Sequence, residues 1–104
     1  KGNTTKKIFV EIYQTGSFGL IRKNSNPLVN YIINNYNNQN FKGKIMIKAI
    51  YKGEKIGEKE VEIELPANKK GNLGFIRASD LHIVNREIWE NVEFEYAISG
   101  NFVK

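Results

Sequence analysis

Ser79, Asp80 and His82 place the three residue types of a nucleophilic triad within four positions of the chain. Nearness in sequence is not the geometry a triad needs, because nucleophile, base and orienting acid must converge in space. On a strand, Asp80 and His82 share one face and Ser79 points to the other. The plainer expectation is that Asp80 caps a turn and His82 is a half-exposed strand residue. Ser17, Ser25, Ser79 and Ser99 all lack a G-x-S-x-G frame. His82 is the only histidine and cysteine is absent. That excludes disulfides, thiolate nucleophiles and cysteine metal sites, and no H-E-x-x-H pattern supports a histidine one. The glutamates Glu58, Glu60, Glu62 and Glu64 supply carboxylates, but as a regular row with lysines nearby rather than as an acid and a base in different surroundings. "KKGNLGF" has two glycines without a phosphate-cradling frame, so Gly71 and Gly74 are expected to permit a turn and close strand packing. No catalytic residue, no metal and no cofactor is expected, and the chain is not expected to be an enzyme.

Binding is the chemistry left. Tyr31, Tyr36 and Tyr51, with Asn37 and Asn38 and the nearby Asn34 and Asn35, combine flat rings with amide donors, a composition suited to reading a sugar or a peptide. Asn is also scattered elsewhere, at Asn68, Asn72, Asn85, Asn91 and Asn101. A bias of the whole chain towards Asn, Ile and Lys is the cheaper account of the same run.

These residues must be positioned by a single domain of 104 residues with a net charge of +5. The positive charges are dispersed, in the pairs Lys6–Lys7, Arg22–Lys23 and Lys69–Lys70, as on a solvated surface. No apolar run approaches the roughly 18 residues of a membrane-spanning helix. Residues 1–6 read as a polar stub, left by a cleaved signal peptide or lipoprotein leader or by trimming, ahead of one β-domain over 7–104.

Period-two alternation organises that domain. Residues 6–14 read as a strand with Ile8, Val10 and Ile12 on one face and Phe9, Glu11 and Tyr13 on the other. Residues 18–22 read as a second short strand in a hairpin with it. Residues 27–36 fit either a helix capped by Asn26 and opened by Pro27, or a strand with Val29, Tyr31 and Ile33 on one face; the strand is favoured because Asn and β-branched residues are mediocre helix formers. Residues 43–65 read as a hairpin. A three-residue loop, Gly53-Glu54-Lys55, sets Ile47 against Val61, Ile45 against Ile63, Lys48 against Glu60 and Lys44 against Glu64. A two-residue loop would put carboxylates opposite the isoleucines. Residues 73–78 read as a strand, residues 81–84 as a strand or 85–89 as a helical turn, and residues 91–98 as a strand with Val92, Phe94, Tyr96 and Ile98 on one face. Six to eight short strands with polar turns predict an all-β, antiparallel sandwich. The expected core includes Ile8, Val10, Ile45, Ile47, Val61, Ile63, Phe94 and Tyr96. The alternatives are an α+β fold with a helix near 27–36, or a small barrel.

The segment 29–77 carries a strand ending in Asn34-Asn35, then Phe41-x-Gly43, Tyr51, Gly53, a charged strand, and Leu65-Pro66-Ala67. In that pattern it resembles an immunoglobulin-like or fibronectin-type accessory domain of bacterial exported proteins. It departs from that pattern in having its only tryptophan late, at Trp89, and no cysteine pair. The resemblance implies an immunoglobulin-like sandwich acting as a non-catalytic interaction or spacer module of a bacterial cell-surface, secreted or lipoprotein chain, with the cytoplasm left open. A protein partner comes first, through strand addition at an unpaired edge, and a carbohydrate second. A rival resemblance, of "GSFGLIRK" and "GNLGFIRASDL" to S1 and cold-shock barrels (an OB-like fold), implies RNA binding, with Phe18, Phe75, Arg77 and His82 as stacking and phosphate contacts.

Overall fold

Residues 7–18 and 27–103 are described by a computed structural model. Among the described residues six strands run β1 (Ile8–Thr15), β2 (Leu28–Asn35), β3 (Asn40–Tyr51), β4 (Glu54–Leu65), β5 (Asn72–Arg77) and β6 (Glu93–Val103). A 3-10 turn, Ala78–Leu81, and one short helix, α1 (Arg86–Asn91), lie between β5 and β6. The strands form two antiparallel three-stranded sheets, β1-β2-β5 (sheet A) and β4-β3-β6 (sheet B), so the domain is all-β and sandwich-like.

Within 27–36 the chain forms a strand, Leu28–Asn35, and not a helix. Val29, Tyr31, Ile33 and Asn35 are buried and their neighbours less so, a period of two that only a strand can turn to one side. β1 pairs with β2 from Ile8 opposite Asn35 to Thr15 opposite Leu28. The expected strand at 18–22 lies outside the described residues beyond Phe18.

The β3–β4 hairpin forms, in a different register from the one expected. Its turn has two residues, Lys52 and Gly53, both at positive φ (53° and 82°), the geometry that matches the twist of flanking strands. Tyr51 pairs with Glu54 and Ile50 with Lys55, after which Ala49 pairs with Gly57, so Ile56 is the extra residue of a bulge. A bare two-residue turn would have set the β3 isoleucines against glutamates. The bulge restores the parity, and Ile45 faces Val61, Gly43 faces Ile63 and Lys44 faces Glu62. Every pairing is thus displaced by two residues from the expected one: Ile47 meets Lys59 rather than Val61, and Lys48 meets Glu58 rather than Glu60. The faces survive, because two residues is a whole period.

One core joins the inner faces of both sheets. Val29, Ile33, Phe41, Ile45, Ile47, Leu65, Leu81 and Ile83 are almost wholly buried there. Of the expected core, Ile8, Ile45, Ile47 and Ile63 are buried, while Val10, Val61 and Phe94 are half-buried against it. Tyr96 is not core. It pairs with Ile47 and so faces inward, yet it is 48% exposed, because β6 is an edge strand and nothing described covers it there.

The segment after β5 is not a strand at 81–84. The Asp80 carboxylate accepts the Arg77 backbone N–H at 3.2 Å and starts a 3-10 turn that buries Leu81. His82 ends it in the left-handed region (φ 62°) rather than on a strand. The alternative at 85–89 holds: Asn85 Oδ1 accepts the Ile88 N–H at 2.9 Å and caps α1, which buries Trp89.

Candidate functional site

The outward residues of sheet A form a grid that follows from strand parity. β1 offers Phe9, Glu11, Tyr13 and Thr15; β2 offers Asn34, Ile32, Asn30 and Leu28; β5 offers Leu73, Phe75 and Arg77. Read across the sheet, Glu11–Ile32–Leu73, Tyr13–Asn30–Phe75 and Thr15–Leu28–Arg77 are rows. Phe9 pairs with Asn34 at one end, and Tyr36 packs edge-on against Phe9 with ring centroids 5.5 Å apart. Leu73 is 72% exposed, Phe75 59%, Phe9 54% and Tyr13 44%. The grid measures roughly 20 Å along the strands and about 10 Å across them. It is an apolar, ring-studded face that water covers at a cost.

The amides on this face are already engaged. Asn30 Nδ2 donates to Thr15 Oγ1 at 2.9 Å and to the Tyr13 carbonyl at 3.4 Å. Asn34 Oδ1 accepts the Gly71 N–H at 2.7 Å. They brace the sheet, and among the strand residues described on this face the charges are one acid, Glu11, near the middle and one base, Arg77, at the end.

The outer face of sheet B is the opposite in character. Lys42, Lys44 and Lys48 stand against the Glu58–Glu64 row, with Lys42–Glu64 at 3.5 Å and Lys44–Glu60 at 3.7 Å. Lys55 approaches Glu58 to 2.9 Å, and its hydrogen bond and charge, with Lys48 behind, hold the Glu58 carboxyl below its usual range. These exposed pairs keep the face solvated and add little stability.

The residues expected to read a ligand are not brought together. Tyr31 lies inside the sandwich with its ring folded over Gly74, where burial pushes its hydroxyl up. Tyr36 is exposed at the end of the aromatic grid. Asn37 belongs to the β2–β3 turn, where its Oδ1 accepts the Gln39 N–H, and Asn38 is exposed in the same turn. Tyr51 is on the other sheet, donating to Glu87 at 2.9 Å, and that bond, then burial and the Glu87 charge, raises its hydroxyl. Of the nucleic-acid set, Phe75 and Arg77 share the outer face of sheet A, Phe18 packs edge-on against Trp89, and the His82 ring nitrogen Nδ1 is bound to the Ile56 carbonyl at 2.9 Å. Asp80 is spent on the Arg77 N–H, and Ser99 sits on β6 opposite Lys44. No group of acids and histidine suited to a metal occurs among the described residues, and no described helix is long and apolar enough to cross a membrane.

Phe9, Tyr13, Ile32 and Leu73 were not singled out by motif. Their signal is weaker: Phe9 and Tyr13 in β1 and Leu73 and Phe75 in β5 occupy the outward parity, where a sheet with one wet face carries polar residues. No protein family, curated protein or solved structure matches the chain.

Proposed function

We propose that this domain is a non-catalytic interaction module that docks a protein partner through the outer face of sheet A. The observation that carries the reading is the cluster of exposed Phe9, Tyr13, Leu73 and Phe75 on the outer face of sheet A, where the outer face of sheet B carries lysine–glutamate pairs. Patches of this kind mark interaction sites, and their rings and aliphatic knobs suit a protein surface. A carbohydrate would need free, convergent polar groups, and Asn30 and Asn34 are committed within the fold. RNA binding is favoured by one observation, that Phe75 and Arg77 stand beside Tyr13 on the same sheet; Glu11 in the middle of that face opposes it. The strand order, with the first, second and fifth strands in one sheet and the third, fourth and sixth in the other, supports an immunoglobulin-like module.

The test has three arms run against the wild type and L73S/F75S. These are a panel of surface proteins from the source cell, a glycan array, and a mixed oligonucleotide at low and high salt. The proposal expects a saturable protein ligand lost in L73S/F75S, and no glycan or oligonucleotide signal. Micromolar oligonucleotide binding that vanishes at high salt would replace it with the RNA reading, and glycan binding lost in the same variant would replace it with the carbohydrate one.

A further inference from the structure

The two edges of sheet B are built differently. Both flank Ile47 on the central strand, β4 with Lys59 and β6 with Tyr96. Lys59 therefore carries a charge on the inner face of β4, and an inward charge is a device that stops an edge from pairing. β4 also carries the bulge at Ile56, whose carbonyl is taken by His82, and Gly57 lies directly against the Leu81 backbone. Its edge is bent, charged and partly covered.

β6 has none of these devices. It is 11 residues long and regularly paired with β3 throughout, and among the described residues nothing pairs with its other edge. From Tyr96 to Val103 it contains no charge and no proline. Its inward residues Phe94, Ile98 and Phe102 are only half-buried, and Tyr96 is exposed. An edge of this length, uncharged from Tyr96 to Val103 and departing from ordinary strand backbone at Gly100 (φ 144°), is a template for another strand.

The charge pattern selects the occupant. Both acids of β6, Glu93 and Glu95, lie at one end. We propose that β6 pairs with the β6 of a second copy of this chain, antiparallel and centred on Ile98, joining two domains through one six-stranded sheet. In that register the whole strand overlaps. Glu93 meets Val103, Glu95 meets Asn101 and Ala97 meets Ser99 on the outer side. Phe94 meets Phe102, Tyr96 meets Gly100, and Ile98 meets itself on the inner side. No like charges oppose each other, ring-on-ring and ring-on-glycine pairs are favourable cross-strand neighbours, and the contact is self-complementary as a two-fold interface must be. A parallel copy would stack the glutamates side by side. The outer face of sheet A is untouched by this contact, so the dimer and the docking function stand or fall separately.

Sedimentation velocity over about 5 µM to 1 mM reads the association directly, the range being set by an interface of modest area. The wild type should dimerise reversibly, and L73S/F75S should dimerise equally well. Ala97 and Ser99 are exposed and outward, so A97E/S99E and A97K/S99K change the edge without entering the core. Each alone opposes like charges twice across the axis and should weaken the dimer at least about tenfold. An equimolar mixture of the two should restore it, which a variant that had merely lost its fold would not do. Circular dichroism melts check that both remain folded. A wild type monomeric across the range, a dimer indifferent to both charged variants, or a mixture that stays monomeric would each overturn the proposal.

Discussion

Asn35 is wholly buried and is the point where the two ends of the connectors meet. Its Nδ2 donates to the carbonyls of Gln39, Leu65 and Pro66, each at 3.1 Å, and its Oδ1 accepts the Asn37 N–H at 2.9 Å. N35A strips a donor from three carbonyls and an acceptor from one amide. A buried polar group left unpaired costs about 1–3 kcal/mol, with the partly wet ones at the low end. The Leu65 carbonyl is the buried case, so a sum of about 3–4 kcal/mol is expected. Small domains have about 5–15 kcal/mol in all, and each kcal/mol moves the melting point of one this size by about 4–8 °C. The melt should fall by about 12–32 °C, read by circular dichroism. N35D should be worse than N35A at neutral pH, since it points a carboxylate at three carbonyls. Burial raises the pKa of that new carboxyl above its unfolded value of about 4, so its neutral form is favoured in the fold. The sign follows: the variant is relatively most stable below the unfolded pKa and loses stability as pH rises through the raised one. An N35A melt within about 3 °C of wild type, or an N35D penalty that grows on acidification, would refute the hub.

L73S/F75S should leave the melting point within about 2–3 °C of wild type, because exposed positions contribute little to stability, while abolishing partner binding. Burial holds the Tyr31 hydroxyl above its ordinary pKa. Its contribution is therefore complete below about pH 10 and lost as pH rises through the higher value; Y31F should remove that step from the alkaline unfolding curve and delete a late component from the absorbance titration. G74A should cost about 1–3 kcal/mol in chemical denaturation, since the added methyl would run into the Tyr31 ring, and the cost should shrink when Y31A is present.

Strands were legible wherever one parity is apolar and the other polar, as in β3 and β4. β2 was legible against its own asparagines because Val29, Tyr31 and Ile33 need a common side. The hairpin register was not legible, because the turn type and the bulge act together and only their sum decides parity: Lys52 at positive φ carries no mark in sequence that a glycine would. Tyr96 was misplaced because alternation tells which way a side chain points and not whether anything lies opposite. The tyrosine-amide run was legible as composition only. It splits between core, turn and surface because adjacent strand residues face opposite ways, so Asn35 became a structural hub and Asn34 a brace for the next connector.

The bulge in β4 sets which insertions and deletions the hairpin can accept. Ile56 is the unpaired residue, so removing it leaves Ile50 opposite Lys55 and Ala49 opposite Gly57, with every later pair unchanged; what is lost is the carbonyl that holds His82. Removing Lys59 instead would draw the rest of the strand forward by one. Glu60 would then face Ile47 and Glu62 would face Ile45, turning the carboxylate row into the core and Val61 and Ile63 out into water. Two deletions three residues apart, each shortening the chain by the same amount, thus differ between a regularised hairpin and an inverted sheet. A library that shortens this strand by one residue should therefore return folded members from the turn-proximal bulge, where removing Lys55 or Ile56 leaves every later pair in place.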